Sequence, residues 1–197
     1  MPRTTTCAAQ SDLKRQTTSL VPHFPTITGG RLTTTLVEDL TNPELFREAF
    51  DENTVGVIHV ANPTHGRTED AVRDILSPAV KGAIGILEAA KIYAGPSFHR
   101  VVHLSSIAAI MDSQEGPRPG YTYTDSDWNP VMFEEAAVVE DHASLYTISS
   151  MDDFTPTAKF LWRLVDAAEI PQLMWAGCVE VRDTAAMTVA AFEKREA

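Results

Sequence analysis

The chain has 197 residues, 44% of them hydrophobic and 22% charged, which suits a single globular core. Its formal net charge of -11 works against nucleic acid and anionic membranes, because phosphate binding calls for a positive surface. No apolar run approaches the roughly 18 residues that would suggest a bilayer span, and the first residues lack a continuous apolar secretory core. Cys7 and Cys178 form neither a disulfide framework nor a metal-binding spacing, so a cytoplasmic chain with reduced thiols and no metal is expected.

Residues 1–30 contain nine Ser/Thr and three prolines with little periodicity, and predict an irregular leader. Leu32–Val37 reads as a strand. Asn42-Pro43-Glu44 then opens a helix running to about Asp51, with an Asn cap, Pro in the first turn and an acid beside the positive helix end. The run TVGVIHVAN gives a buried-type strand over Val55–Val60. The longest helical pattern spans about Glu69 to Tyr93. Its apolar positions are Val72, Ile75, Leu76, Ala79, Val80, Ala83, Ile84, Leu87 and Ala90, with Pro78 as a kink point.

Arg100–Ser105 is the next predicted strand, followed by a Gly/Pro/Asp-rich loop from Asp112 to Pro130. Helices are predicted near 142–152, 157–168 and 184–194, with a brief strand at Cys178–Val181. Strands alternating with helices predict an α/β fold with a parallel sheet. The expected organisation is a leader over 1–30, a main domain over 31–150 and a smaller C-terminal segment over 151–197. His59, His65, His99 and His103 near strand ends lack metal-ligand spacing and read as packing or surface residues. Asp125, Asp127, Glu134 and Glu135 read as a solvated acidic face, and Tyr121-x-Tyr123 as a solvent-facing hairpin.

The phrases GVIHVANP, DILSPAVKGAIGILEAAK, RVVHLSSIAAI, SDWNP and VEVRDTAAMTVAAFE occur in an order that resembles the extended short-chain dehydrogenase/reductases. The resemblance points to their methylglyoxal, dihydroflavonol and cinnamoyl-CoA reductase branch, within the epimerase/dehydratase superfamily. It implies a Rossmann-type sheet of order 3-2-1-4-5-6, NADP across the strand ends, and reduction of a small-molecule carbonyl. On that template Leu32–Val37 is the third strand, Val55–Val60 the fourth and Arg100–Ser105 the fifth. Ser106 matches the serine that hydrogen-bonds the carbonyl oxygen, and Tyr146 the tyrosine that donates the proton. Ala61, Asn62 and Pro63 match the loop after the fourth strand, along the adenosine side of the cofactor.

Two departures accompany the resemblance. Ser150 occupies the place of the lysine that lowers the tyrosine's pKa, and Lys159 falls about 220° further round a continuous helix. None of the ten glycines forms the G-x-x-G-x-x-G turn that cradles a pyrophosphate, so cofactor binding and reductase activity are expected to be weak or absent. Without the first two strands the sheet opens at its centre. Candidates to fill it are Thr17–Leu20 or Thr26–Thr28 of the leader, or association with a related full-length chain. A non-catalytic interaction module and a cofactor-independent isomerase or cyclase using Tyr146 are the alternatives to a reductase.

Overall fold

The computed structural model describes residues 5–9, 32–62, 70–112, 115–116, 118–137, 169, 179 and 181–194. They fall into two compact units. The first draws on residues 1–63, 77–104 and 188–197, and the second on 64–76 and 105–187.

Among the described residues, the first unit contains four short strands paired as two separate parallel ladders. β1 (Thr5–Ala9) runs beside β2 (Leu32–Leu36), with Cys7 opposite Thr34. β3 (Gly56–His59) runs beside β4 (Arg100–His103), with His59 opposite His103. The α/β class with parallel pairing is thus the observed one. The break between ladders separates the segment matched to a third strand from those matched to a fourth and fifth.

β1 corrects the expectation of an irregular leader. Thr-Thr-Cys-Ala-Ala carries too little apolar alternation to announce a strand, and its amides are satisfied through β2, a partner distant in sequence. Thr17–Leu20 and Thr26–Thr28, the segments expected to supply a replacement strand, lie outside the described residues.

Asn42 caps the next element as its sequence predicts, its side-chain oxygen accepting the Glu44 N–H at 3.0 Å. That element, Pro43–Ala49, winds as a 3-10 helix and buries Phe46. Phe46, Val37, Leu40, Ile86 and Ala89 make the core, with Phe50, Val57 and Tyr93 packed on it.

The long helical segment divides at Pro78. A π-helical turn, Val72–Leu76, leads into α1 (Ser77–Tyr93), so Pro78 stands in the first turn of the α-helix. Proline has no N–H to donate to the turn before it, and the chain is wound there as a π-helical turn rather than as regular α-helix.

The buried face of α1 is Gly82, Gly85, Ile86, Ala89 and Ala90. Of the predicted apolar stripe on this helix only Ala90 is on that face, while Val80, Ile84 and Leu87 are about half exposed. The reason is close approach: a Cβ on Gly85 would lie 2.8 Å from the Leu40 carbonyl oxygen. Backbone thus meets backbone where larger side chains would hold the elements apart.

α2 (Phe133–Ala137), which no periodicity announced, lies in the second unit. The Met132 N–H donates to the Glu135 carboxylate at 2.9 Å, a cap three residues long. α3 (Val181–Glu193) begins where the end of the predicted Cys178–Val181 strand was placed, so Val181 is helical instead. Its last turn is held in the first unit by Arg100, whose Nη1 donates to the Ala191 carbonyl at 3.0 Å. The Phe192 ring lies against Gly56, where a Cβ would come within 2.7 Å of it and 2.4 Å of the Arg100 carbonyl oxygen. The helices predicted over 142–152 and 157–168 lie outside the described residues. No described helix is long and apolar enough to cross a membrane.

Phe46→Ala empties the centre of the first unit and is expected to cost about 3–5 kcal/mol in urea denaturation. Gly85→Ala is expected to cost about 1–3 kcal/mol, because the obstructing atom is backbone and cannot rotate away. A Gly85→Ala chain as stable as the parent would show that α1 does not sit this close to Leu40.

Candidate functional site

The chain leaves β4 through Leu104 and reaches Ser105-Ser106, where it turns sharply. Ser106 has extended backbone angles, φ -138° and ψ 156°, and caps the short 3-10 turn Ile107–Ala109. Its Oγ accepts the Ala108 N–H at 3.2 Å, while its carbonyl accepts from Ala109 at 3.0 Å. A serine hydroxyl has one proton to donate and two lone pairs. The cap uses one lone pair, and Ser106 is exposed. Its proton can therefore be offered to a ligand oxygen.

Asn129 holds this turn from the far side of the loop. Its backbone N–H donates to Ala109 and its side-chain amide to Ala108, each at 2.9 Å. Its side-chain oxygen accepts the Val131 N–H at 3.0 Å. One residue thus ties 108–109 to 129 with two bonds and closes 129–131 with a third. In the sequence, SDWNP reads only as a family phrase, and this role goes unseen. The available signal was its Asn-Pro pair, which commonly marks an Asx-type turn.

The loop before Asn129 has its own polar centre. Asp127 accepts the Tyr121 hydroxyl through a very short bond, the Thr124 N–H at 2.6 Å and the Thr124 hydroxyl at 3.0 Å. The Arg118 guanidinium lies 3.7 Å from the centroid of the Tyr121 ring and pairs with Glu115 at 3.1 Å. Tyr121 and Tyr123 meet edge to face, centroids 5.0 Å apart.

Asp125, Glu134 and Glu135 are exposed as expected, while half-buried Asp127 also accepts hydrogen bonds within the loop, and the described 118–128 residues form no hairpin strands. The Tyr121 hydroxyl, then the Thr124 amide, hold the Asp127 carboxyl below its ordinary range. The same bond to Asp127 raises the Tyr121 phenol.

Ala61 and Asn62 follow β3 as exposed chain in the first unit. Pro63, Tyr146, Ser149, Ser150 and Lys159 lie outside the described residues. Among the described residues, no group of three or more His, Cys, Asp or Glu could hold a metal ion. His99 is engaged locally, its Nδ1 2.9 Å from the Ser97 carbonyl oxygen.

No family model matches the chain. An uncharacterised oxidoreductase of Schizosaccharomyces pombe is 28% identical over 176 residues, covering 70% of this chain and 52% of that protein. The NADPH-dependent methylglyoxal reductase of Saccharomyces cerevisiae is 35% identical over 102 residues, 50% of this chain and 30% of the enzyme. An NAD-dependent epimerase/dehydratase of Alternaria alternata is 34% identical over 131 residues, 64% of this chain and 36% of that protein.

Among solved structures, yeast methylglyoxal/isovaleraldehyde reductase Gre2 complexed with NADPH matches with a TM-score of 0.60 and 29% identity. The match covers 68% of this chain and 39% of the enzyme. The chain spans about half the length, or less, of these relatives.

Asn129→Ala removes two of the three bonds that tie the turn and leaves the Val131 amide without its acceptor. Faster hydrogen exchange is expected at Val131 and Ala109. Protection equal to the parent's would mean the turn is held by other contacts. Tyr121→Phe is expected to raise the Asp127 carboxyl toward its ordinary value, read by carboxyl NMR titration.

Proposed function

We propose that this chain, a relative of the NADPH-dependent reductases of the extended short-chain dehydrogenase/reductase family, carries the carbonyl-holding side of a reductase site. Ser106 carries the reading. It follows β4 by three residues along the chain, with its hydroxyl oriented by the Ala108 amide and its proton free to donate. In this proposal Ser106 hydrogen-bonds the carbonyl oxygen of a small aldehyde or ketone. Tyr146 stands where the family's proton donor stands in sequence. Ser150 stands at the lysine position and brings no positive charge to Tyr146.

NADP is the cofactor that kinship implies, and it would supply the hydride. The residues described do not make its cradle. The glycines with positive φ among them, Gly116 and Gly120, lie in the 115–120 loop and have open space around their Cα atoms. No G-x-x-G-x-x-G turn occurs in the 197 residues. In our reading the chain alone holds a carbonyl compound weakly and does not reduce it.

Two measurements test this. Nicotinamide fluorescence during titration with NADPH is expected to show no saturation up to about millimolar cofactor, well above ordinary Michaelis constants. Adding methylglyoxal is expected to shift the NMR signals of Ser106 and Ala108, with the shift lost in Ser106→Ala. Saturation at micromolar NADPH would overturn the cofactor statement, and an aldehyde response unchanged in Ser106→Ala would overturn the role of the serine.

A second reading is favoured by the break between the two ladders: association with a full-length relative, whose sheet could pair with the open strands. Sedimentation of the chain mixed with such a relative tests it. Two species that sediment independently exclude it.

A further inference from the structure

His59 and His103 are not used by the reaction proposed above. They form the register pair at the C-terminal ends of β3 and β4. Residues directly opposite on neighbouring strands share a face of the ladder, and these two rings stack with centroids 5.1 Å apart at 28°. His59 is only 5% exposed, whereas His103 is open to solvent. The Leu104 N–H donates to the His59 carbonyl at 2.9 Å, so the stack sits on the last backbone bond of the ladder.

Neutral imidazoles stack without penalty. Protonating both would set two like charges at ring-contact distance, one of them largely withdrawn from water. Burial, and then the neighbouring His103, hold the His59 pKa below the ordinary imidazole range. Among the described residues, the charged groups on the elements around the ladder are Glu38 and Asp39 after β2, Glu44, Arg47 and Glu48 on the 3-10 helix, Lys81, Glu88 and Lys91 on α1, Arg100 on β4, and Glu193 and Lys194 at the end of α3.

We propose that the stacked His59–His103 pair is a proton-operated latch on the β3–β4 ladder, closed while His59 is neutral and released when both rings carry charge. From the two strand ends the chain runs on into Ala61-Asn62 and, after Leu104, into Ser105-Ser106.

Linkage sets the sign. His59 in the unfolded chain binds its proton near the ordinary imidazole value of 6.5, and in the folded chain only at lower pH. Between those two pH values the unfolded chain holds the additional proton. The latch's contribution is therefore complete above about 6.5, declines as pH falls below it, and levels off once folded His59 is itself protonated.

Urea denaturation of the full chain at steps from about pH 7.5 to about pH 5 spans this window. One proton gives a fall in the folding constant of at most about tenfold per pH unit. The parent is expected to show this fall. His59→Phe, which keeps a flat ring without a proton site, should show a shallower one. His103→Gln should lie between them, since the like charge is removed and burial remains.

NMR titration of the His59 imidazole in the unmodified chain gives a second reading that needs no variant. Its midpoint is expected below the ordinary imidazole value, moving upward in His103→Gln. A midpoint at or above that value, or a pH slope in folded His59→Phe equal to the parent's, would overturn the latch.

Discussion

The described part of the first unit depends on one parallel pairing, β3 against β4. Four residues on each side exchange backbone bonds from Gly56 and Arg100 up to His59 and His103. At the lower end the same residues receive α3: Gly56 has no Cβ and admits the Phe192 ring, and Arg100 holds the Ala191 carbonyl. At the upper end the ladder is finished by the Leu104-to-His59 bond and covered by the histidine stack. A short ladder has few bonds to lose, so what closes its two ends determines whether it persists.

The same economy shows in the core. The volume between the loop after β2 and α1 is small because glycine and alanine line α1 there, and Val37, Leu40, Phe46 and Ile86 fill it. Larger apolar residues of α1 face outward. A helix whose buried face is made of small residues gains less from hydrophobic transfer than from close packing, and is correspondingly intolerant of added volume.

In the second unit the turn of the candidate serine is held by a set of polar bonds. The Ser106 turn is capped by its own side chain and tied by Asn129, while Asp127 organises the preceding loop through Tyr121 and Thr124. This is a loop built by side chains bonding to backbone, the ordinary solution where no ladder satisfies the amides. It explains why Asp127, read as surface charge in sequence, also has bonding partners within its loop.

Local chemistry was legible in the chain itself. The Asn42 cap, the apolar runs of β3 and β4, the stop after Tyr93 and the final helix each depend on neighbours within a few residues, and all were readable from them. The identity of Ser106 as the candidate serine came from the phrase around it, while the lost lysine position and the missing glycine turn are facts of the sequence. Tertiary structure alone decided the rest. β1 exists because β2 supplies its partners from a remote stretch of chain, and α1 turns Gly85 inward because the Leu40 carbonyl lies against it. Asn129 and His59 have their roles because folding brings distant segments into bonding and stacking distance. Short-range preferences are written in composition and spacing; partners remote along the chain are set only when the backbone closes on itself.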